Sequence, residues 1–142
     1  MIYQRISPDV PHPARATPGS AGLDLTSTGQ GTIHISPGVT HHIHTGIRVA
    51  IPEGHVGLLF VRSSLGVKRG LVLANGTGVI DSDYRGEIIA VLHNTSNGVQ
   101  VVEPGERVAQ LVIVPCWDGE PIEGDLEATS RGDGGFGSTG TH

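Results

Sequence analysis

The chain has 142 residues, of which 37% are hydrophobic and 16% are charged, and its formal net charge is −5. This length suits one domain, and the composition is too apolar for a disordered chain yet contains no run of about 18 apolar residues able to span a membrane. The negative charge argues against binding to nucleic acid, which requires a basic face, but it allows a small phosphorylated ligand. Cys116 alone permits no internal disulfide, and no apolar leader follows Met1, so we expect an intracellular, cytoplasmic protein.

Short segments rich in apolar and β-branched residues alternate along the chain with glycine and proline turns. Their length and composition are typical of strands at residues 32–35, 46–51, 56–61, 71–73, 87–94 and 107–115. The best helix candidate is one or two turns within residues 63–69, where Ser63 or Ser64 could cap the start. Many short strands with regular turns predict an all-β domain, such as a sandwich, barrel or jelly roll.

The end of the chain has a different composition, because half of residues 131–140 are glycine. Such a segment cannot build a core element and is either a frayed tail or a chain that folds its N–H groups around phosphate oxygens. We therefore predict a β domain over residues 1–128, followed by a flexible arm over residues 129–142.

Asp24 lies between Leu23 and Leu25, so strand alternation turns its side chain away from both leucines. It is either a surface carboxylate or an acid that orients a hydrated cation. Gln110 leaves a similar choice, because it lies among apolar residues and is either a satisfied interior amide or a donor to a ligand oxygen.

Arg62, Ser63 and Ser64 follow an apolar strand and lie at the start of the predicted helix. The first N–H groups of a helix have no partner within it. Together with two hydroxyls and a guanidinium, they suit an anion such as a phosphate. Hydroxyl caps at helix starts also occur without any ligand, so both interpretations stay open.

The segment from residue 73 to residue 87 contains several candidate functional residues close together in sequence. Asn75-Gly76 predicts a tight hairpin turn. Asp81 and Asp83 would share one face of an extended strand, where one acid could act as general base while the other is salt-bridged. Tyr84 adds a flat amphipathic surface. The alternative is a polar hairpin end in which Arg85 neutralises Asp83.

Four histidines, His34, His41, His42 and His44, raise the question of a metal site. His42 and His44 would share a strand face. No carboxylate or cysteine completes a recognisable ligand spacing. The polar faces of exposed strands are the simpler interpretation.

In this order, the segments resemble the five motifs of the trimeric dUTP pyrophosphatase (dUTPase) family. They are residues 21–25, 62–64, 75–87, 105–111 and 131–140. The resemblance implies a distorted jelly-roll or β-barrel and a homotrimer, in which each active site draws on all three chains and the C-terminal arm closes over the substrate. It also implies hydrolysis of dUTP to dUMP and pyrophosphate with Mg²⁺.

The resemblance assigns a role to individual residues. Asp81 matches the carboxylate that activates water, Tyr84 matches the ring that packs on the deoxyribose, and Asp24 matches an acid that meets the metal through water. Uracil would be recognised by Asn75 and the main chain of Gly78, Val79 and Ile80. The other residues that match substrate contacts, chiefly to phosphates and with Phe136 stacking on uracil, are Arg62, Ser63, Ser64, Gln110, Arg131, Phe136, Gly137, Ser138 and Thr139.

Two alternatives share parts of this pattern. A dCTP deaminase, or a bifunctional deaminase–diphosphatase, is compatible with residues 62–64, but the arm with Phe136 and the run from Ile80 to Tyr84 favour a dUTPase. A non-catalytic module that uses the nucleotide-bound arm as a switch for a partner protein is the second alternative. No large insertion supports a dedicated interaction surface for it.

Overall fold

The computed structural model describes residues 1–135, and ten strands with a single short helical turn make up its regular structure. The helical turn, Ser64–Lys68, is π-helical. Within residues 1–135, no helix is long and apolar enough to cross a bilayer. The strands are β1 (Ile2–Arg5), β2 (Leu23–Thr26), β3 (Ile33–Ile35), β4 (Thr40–Ala50), β5 (His55–Val61), β6 (Leu71–Leu73), β7 (Gly78–Ile80), β8 (Glu87–Asn94), β9 (Gln100–Val102) and β10 (Arg107–Pro115).

The strands form two four-stranded antiparallel sheets and one two-stranded ladder. The first sheet has the order β1-β4-β8-β6, the second has the order β2-β10-β5-β7, and β3 pairs with β9. Buried side chains from both large sheets, such as Ile43 and Leu92 in the first and Leu59 and Leu111 in the second, belong to one hydrophobic core. The all-β jelly-roll prediction is confirmed.

Most predicted strands are present with small changes at their ends. Residues 71–73, 87–94 and 107–115 are strands as predicted, while β4 begins six residues before the predicted residue 46. The first part of this strand lacks an apolar pattern in the sequence, because His41, His42 and His44 are exposed and Ile43 is the only buried residue from 40 to 44. The strands β1, β7 and β9 were not predicted, because each is short and includes glycine or polar residues, whereas the equally short β6 is entirely apolar.

The predicted hairpin at Asn75-Gly76 is wrong, although the tight turn exists. Gly76 has φ +72°, and its N–H donates to the carbonyl of Leu73 at 2.9 Å. The strands on either side do not pair with each other, because β6 pairs with β8 and β7 pairs with β5. The turn therefore carries the chain from one sheet to the other.

The helical turn is present within the predicted range, but Ser63 at its start makes no capping hydrogen bond through its side chain. Instead, the carbonyl of Arg62 accepts hydrogen bonds from the N–H groups of Leu65 and Gly66 at 3.0 and 3.1 Å. Leu65 is buried and fixes the turn to the core. Both serine hydroxyls therefore remain available at the surface.

Asn94 is a fully buried polar side chain at the end of β8. Its amide nitrogen donates to the carbonyls of Ile35 and Gly98, both at 2.8 Å. Its oxygen accepts from the N–H and the hydroxyl of Ser96 at 2.9 and 2.7 Å. Because every bonding position is used, Asn94 joins β3, β8 and the turn after β8 without leaving a buried polar group unpaired.

We expect Asn94→Ala to destabilise the protein by about 2–4 kcal/mol, since it leaves several buried polar groups unpaired. Urea unfolding followed by circular dichroism measures this change. Asn97→Ala, at an exposed position of the same turn, is the matched control and should change stability by less than about 0.5 kcal/mol. Equal stability of the two variants would contradict this role of Asn94.

Candidate functional site

Asp24 lies at the centre of a charged cluster on the second sheet. Its side chain is 12% exposed, and its two oxygens contact Nε of Arg62 at 3.3 Å and a terminal guanidinium nitrogen of Arg107 at 3.0 Å. Asp24 is therefore not a bare surface carboxylate. The two arginines are 29% and 49% exposed, so the cluster presents one excess positive charge to solvent and suits an anion. Arg107 was not singled out from the sequence, although it lies within the segment 105–111.

Gln110 is fixed beside this cluster. It faces Asp24 across the β2–β10 ladder, and its amide nitrogen donates to the carbonyl of Val61 at 3.3 Å. A Cβ at Gly22 would lie 2.6 Å from the Gln110 side-chain oxygen, so only glycine leaves room for the amide there. Gln110 is thus half-buried, and its hydrogen bond ties it to Val61, the residue that precedes Arg62.

Ser63 and Ser64 are exposed at the start of the helical turn. With Val67 and Lys68, they line a shallow pocket of about 290 Å³. Lys68 adds a second type of cation to this surface. The two serines and Arg62 are therefore close along the chain, and all three have groups that can meet a phosphate.

A second group of predicted residues lies at the other end of the same sheet. Val79, Ile80, Asp81 and Tyr84 line a pocket of about 250 Å³, together with the first residues of β8. Asp81 is exposed and follows the last residue of β7. The pocket brings a free carboxylate and an aromatic ring to the edge of a short strand.

The expectation that Asp81 and Asp83 share a strand face is wrong. The chain turns after Ile80, and the N–H of Tyr84 donates to the carbonyl of Asp81 at 3.2 Å. Arg85 donates to the carbonyls of Ser82 and Tyr84 at 2.7 and 2.9 Å, and among the salt bridges of residues 1–135 none joins it to Asp83. Asp81 therefore has no salt-bridge partner within residues 1–135.

The hydroxyl end of the Tyr84 ring is held in place. Its hydroxyl donates to the carbonyl of Glu87 at 3.0 Å. The ring lies over Gly86, where a Cβ would overlap it. Tyr84 is still 43% exposed, so one surface of the ring is free to pack on a ligand.

The turn and strand before Asp81 combine an exposed and a tightly packed part. Asn75 is exposed in the turn, whereas Gly78 is buried opposite Leu59, and a Cβ at Gly78 would lie 2.9 Å from the Cβ of Leu59. The backbone of β7 therefore sits close against β5. β7 is the last strand in its sheet within the described chain, so one side of its backbone has no strand partner.

The register of β5 separates the two groups of residues. Gly57 pairs with Ile80, so the same register places Asp81 beside Val56, near the beginning of β5, whereas Arg62 follows its end. Six residues of strand, at 3.3–3.4 Å each, put these positions about 20 Å apart. A single chain therefore does not bring Asp81 next to Arg62.

The histidines have separate partners. Nδ1 of His44 lies 2.9 Å from a carboxylate oxygen of Glu87, and Nδ1 of His41 lies 3.2 Å from the carbonyl of His42. His34 is on a different ladder, opposite Val101. Residues 1–135 contain no group of three histidine, cysteine or acidic side chains placed to hold a metal ion.

Asp24 is the acid that the family resemblance assigns to a hydrated cation, and both of its oxygens already contact arginines. Mg²⁺ commonly binds through one or two carboxylates, several waters and substrate phosphates rather than in a cage of protein ligands. A single, largely buried carboxylate beside two arginines fits that pattern, because the phosphates and waters would supply most oxygens.

The remaining predicted site residues lie after residue 130. Arg131 is exposed, and its carbonyl accepts from the N–H of Gly134 at 3.1 Å. Phe136, Gly137, Ser138 and Thr139 lie outside the described residues.

A larger pocket of about 370 Å³, between the segment after β1 and the turn before β10, contains none of the predicted site residues.

Comparison with known proteins gives a consistent answer. A dUTPase family model matches residues 9–140. The deoxyuridine 5'-triphosphate nucleotidohydrolase of Desulfitobacterium hafniense (strain DSM 10664 / DCB-2) is 48% identical over 130 residues, which cover 90% of this chain and 86% of that protein. The corresponding protein of Tolumonas auensis is 43% identical over 144 residues, covering 100% and 95%.

Solved structures agree with the sequence relatives. A mutant dUTPase of Staphylococcus bacteriophage 80alpha with dUpNHpp matches with a TM-score of 0.88 at 31% identity, covering 99% of this chain and 98% of that one. A mutant dUTPase of phage phi11 of S. aureus, described with a structural Mg(II) ion, matches with a TM-score of 0.76 at 28% identity, covering 88% and 96%. The fold, the motifs and these matches together establish that the chain belongs to the dUTPase family.

Proposed function

We propose that the chain hydrolyses dUTP to dUMP and pyrophosphate, with Asp81 activating the water that attacks the α phosphorus and Mg²⁺ as cofactor. The observation that carries the proposal is the pocket at the end of β7, where Asp81 and Tyr84 stand beside a free strand edge. The pocket combines a carboxylate that can act as general base, an aromatic ring that can pack on a sugar, and main-chain groups without a strand partner. Binding and hydrolysis of a deoxynucleotide use all three.

Asp81 acts as a general base. Its carboxylate is exposed at the pocket and has no salt bridge within the described chain. A base must come within about 3 Å of the water it deprotonates. An unpaired carboxylate beside the pocket can meet that condition, and no covalent intermediate is needed.

Recognition of uracil uses the edge of β7. An unpaired strand edge presents a row of main-chain donors and acceptors. Uracil can pair with such groups, whereas cytosine presents the opposite donor and acceptor pattern at two positions and leaves buried polar groups unpaired. Asn75 and the main chain of Gly78, Val79 and Ile80 supply these contacts, and the 5-methyl of thymine is excluded by its bulk.

Tyr84 packs against the deoxyribose. The free surface of its ring faces solvent at the pocket, and the hydrogen bond of its hydroxyl to Glu87 limits its movement. A ribose 2′-hydroxyl would meet the ring at this position. The selection of a deoxynucleotide therefore follows from steric exclusion rather than from an extra hydrogen bond.

The triphosphate binds to the charged cluster around Asp24 and to the serines at positions 63 and 64. Arg62 and Gln110 supply donors, and Arg107 adds a further cation. Asp24 would hold Mg²⁺ through water rather than by direct coordination. When bound, Mg²⁺ neutralises phosphate charge and favours the departure of pyrophosphate.

A complete site requires more than one chain, and we place it between subunits of a homotrimer. Its support is the separation of about 20 Å between Asp81 and Arg62 that strand geometry gives within one chain. The segment after β10 is exposed over residues 116–130, including Trp117, Ile122 and Leu126, which are 74%, 92% and 96% exposed. An arm of this kind extends from its own chain toward another, where Arg131, Phe136, Gly137, Ser138 and Thr139 would close over the nucleotide.

The direct test is pyrophosphate release from dUTP by the purified protein with Mg²⁺, beside dCTP as a second substrate. We expect pyrophosphate from dUTP and no ammonia from dCTP. Ammonia from dCTP would indicate a deaminase or a bifunctional enzyme. Binding of dUTP without turnover would indicate a nucleotide-switched binding module.

We expect Asp81→Asn to lower kcat for dUTP by about 10²–10⁴-fold, because the amide cannot accept the proton. Binding of a non-hydrolysable dUTP analogue, measured by calorimetry, should change little. Asp83→Asn, which removes a neighbouring charge from the same turn, is the matched control and should keep most of the activity. A fully active Asp81→Asn variant would rule out the proposed base.

We expect deletion of residues 131–142 to lower kcat/KM for dUTP by at least about tenfold, since an arm that excludes water and contacts phosphates is lost. The far-ultraviolet circular dichroism spectrum should be retained, because none of the ten strands lies in this segment. Deletion of residues 141–142 alone is the control. An unchanged rate after the longer deletion would mean that the arm is a passive tail.

A further inference from the structure

Glu87 is a largely buried carboxylate outside the residues that the family motifs single out for substrate. Its side chain is 17% exposed, and both oxygens are occupied. One accepts the N–H of Gly46 at 2.7 Å, and the other lies 2.9 Å from Nδ1 of His44. A carboxylate bonded on both oxygens by a neighbouring strand has little freedom to move.

The partner segment of β4 is a bulge. The β4–β8 register shifts between His44 and Arg48, and Gly46 within it has φ +67°. A bulge leaves one residue out of the ladder and interrupts the regular main-chain hydrogen bonds. Side chains replace them here, since Glu87 accepts from Gly46 and the Thr45 hydroxyl donates to the carbonyl of Ile88.

The main chain of the same glutamate anchors the catalytic turn. The carbonyl of Glu87 accepts the Tyr84 hydroxyl at 3.0 Å, and the N–H of Tyr84 donates to the carbonyl of Asp81 at 3.2 Å. A chain of three hydrogen bonds therefore runs from Gly46 through Glu87 and Tyr84 to Asp81. Any displacement of Glu87 moves the acceptor to which the ring is bonded.

We infer that Glu87 is a positioning residue of the dUTPase site. It fixes the start of β8 to the bulge of β4 and thereby sets the position of Tyr84 and Asp81. The role rests on the proposed function of those two residues. Glu87 also lines the pocket, but its carboxylate is bonded to His44 and Gly46 rather than to Asp81 or Tyr84, so the inferred effect on turnover passes through its main chain.

Hydrogen exchange tests the coupling without using activity. In Glu87→Ala, we expect faster exchange both at the Gly46 amide and in the turn over residues 81–86, measured by mass spectrometry of the full-length protein. Glu53→Ala, which removes an exposed carboxylate from another turn, is the matched control and should exchange like the parent protein. Faster exchange at Gly46 with an unchanged 81–86 turn would overturn the inference.

A double-mutant cycle on dUTP hydrolysis gives the second readout. We expect Glu87→Ala and Tyr84→Phe each to lower kcat/KM by about tenfold, and the double variant to be no more than about twofold worse than either alone. Fully multiplying effects would overturn the inference. If Glu87→Ala does not fold, Glu87→Met, which has a similar length but no acceptor for the Gly46 N–H, takes its place in both experiments under the same criteria.

The two proposals fail in different ways. A parent protein that releases no pyrophosphate from dUTP contradicts the proposed function. An active parent in which the Glu87 and Tyr84 effects multiply contradicts only the positioning role.

Discussion

The antiparallel register of β5 is the constraint on which the rest of the site depends. β5 pairs with β10 along one edge and with β7 along the other. The pairing with β10 brings Gln110 and Asp24 to the same end as Arg62, while the pairing with β7 leaves Asp81 at the opposite end. One seven-residue strand thus separates the residues proposed to bind phosphate from those proposed to bind the base and the sugar. The proposal that several chains contribute to one site rests on that separation.

The strands β8 and β10 and the position of residues 62–64 could be predicted from sequence, because each has a local signal. Residues 87–94 and 107–115 are apolar runs between turn residues, and they form strands with those limits. Arg62, Ser63 and Ser64 were placed correctly at the start of a helical turn. The side-chain cap that usually begins such a turn is missing, because the Arg62 carbonyl and the buried Leu65 fix it instead.

The errors came from contacts that are distant in sequence. Asn75-Gly76 is a strong local hairpin signal, yet the strands around it find better partners in different sheets. Arg107 was not predicted as part of the site for the same reason, because its contact with Asp24 joins residues 83 positions apart. The role of Glu87 was not predicted either, because its partners His44 and Gly46 are more than 40 positions away. The local pattern shows which residues are polar but not which of them meet.

The short length of β7 has a consequence for the enzyme without its nucleotide. A strand at the border of a sheet offers hydrogen-bonding groups to any extended chain, and a long one invites aggregation. β7 offers only three residues, the first of which is a buried glycine, and the Asn75-Gly76 turn and the Asp81 turn interrupt it on both sides. That length is enough to meet one nucleobase but too short to template a foreign strand. The edge proposed to recognise the nucleobase can therefore stay open between turnovers with little risk of polymerisation through it.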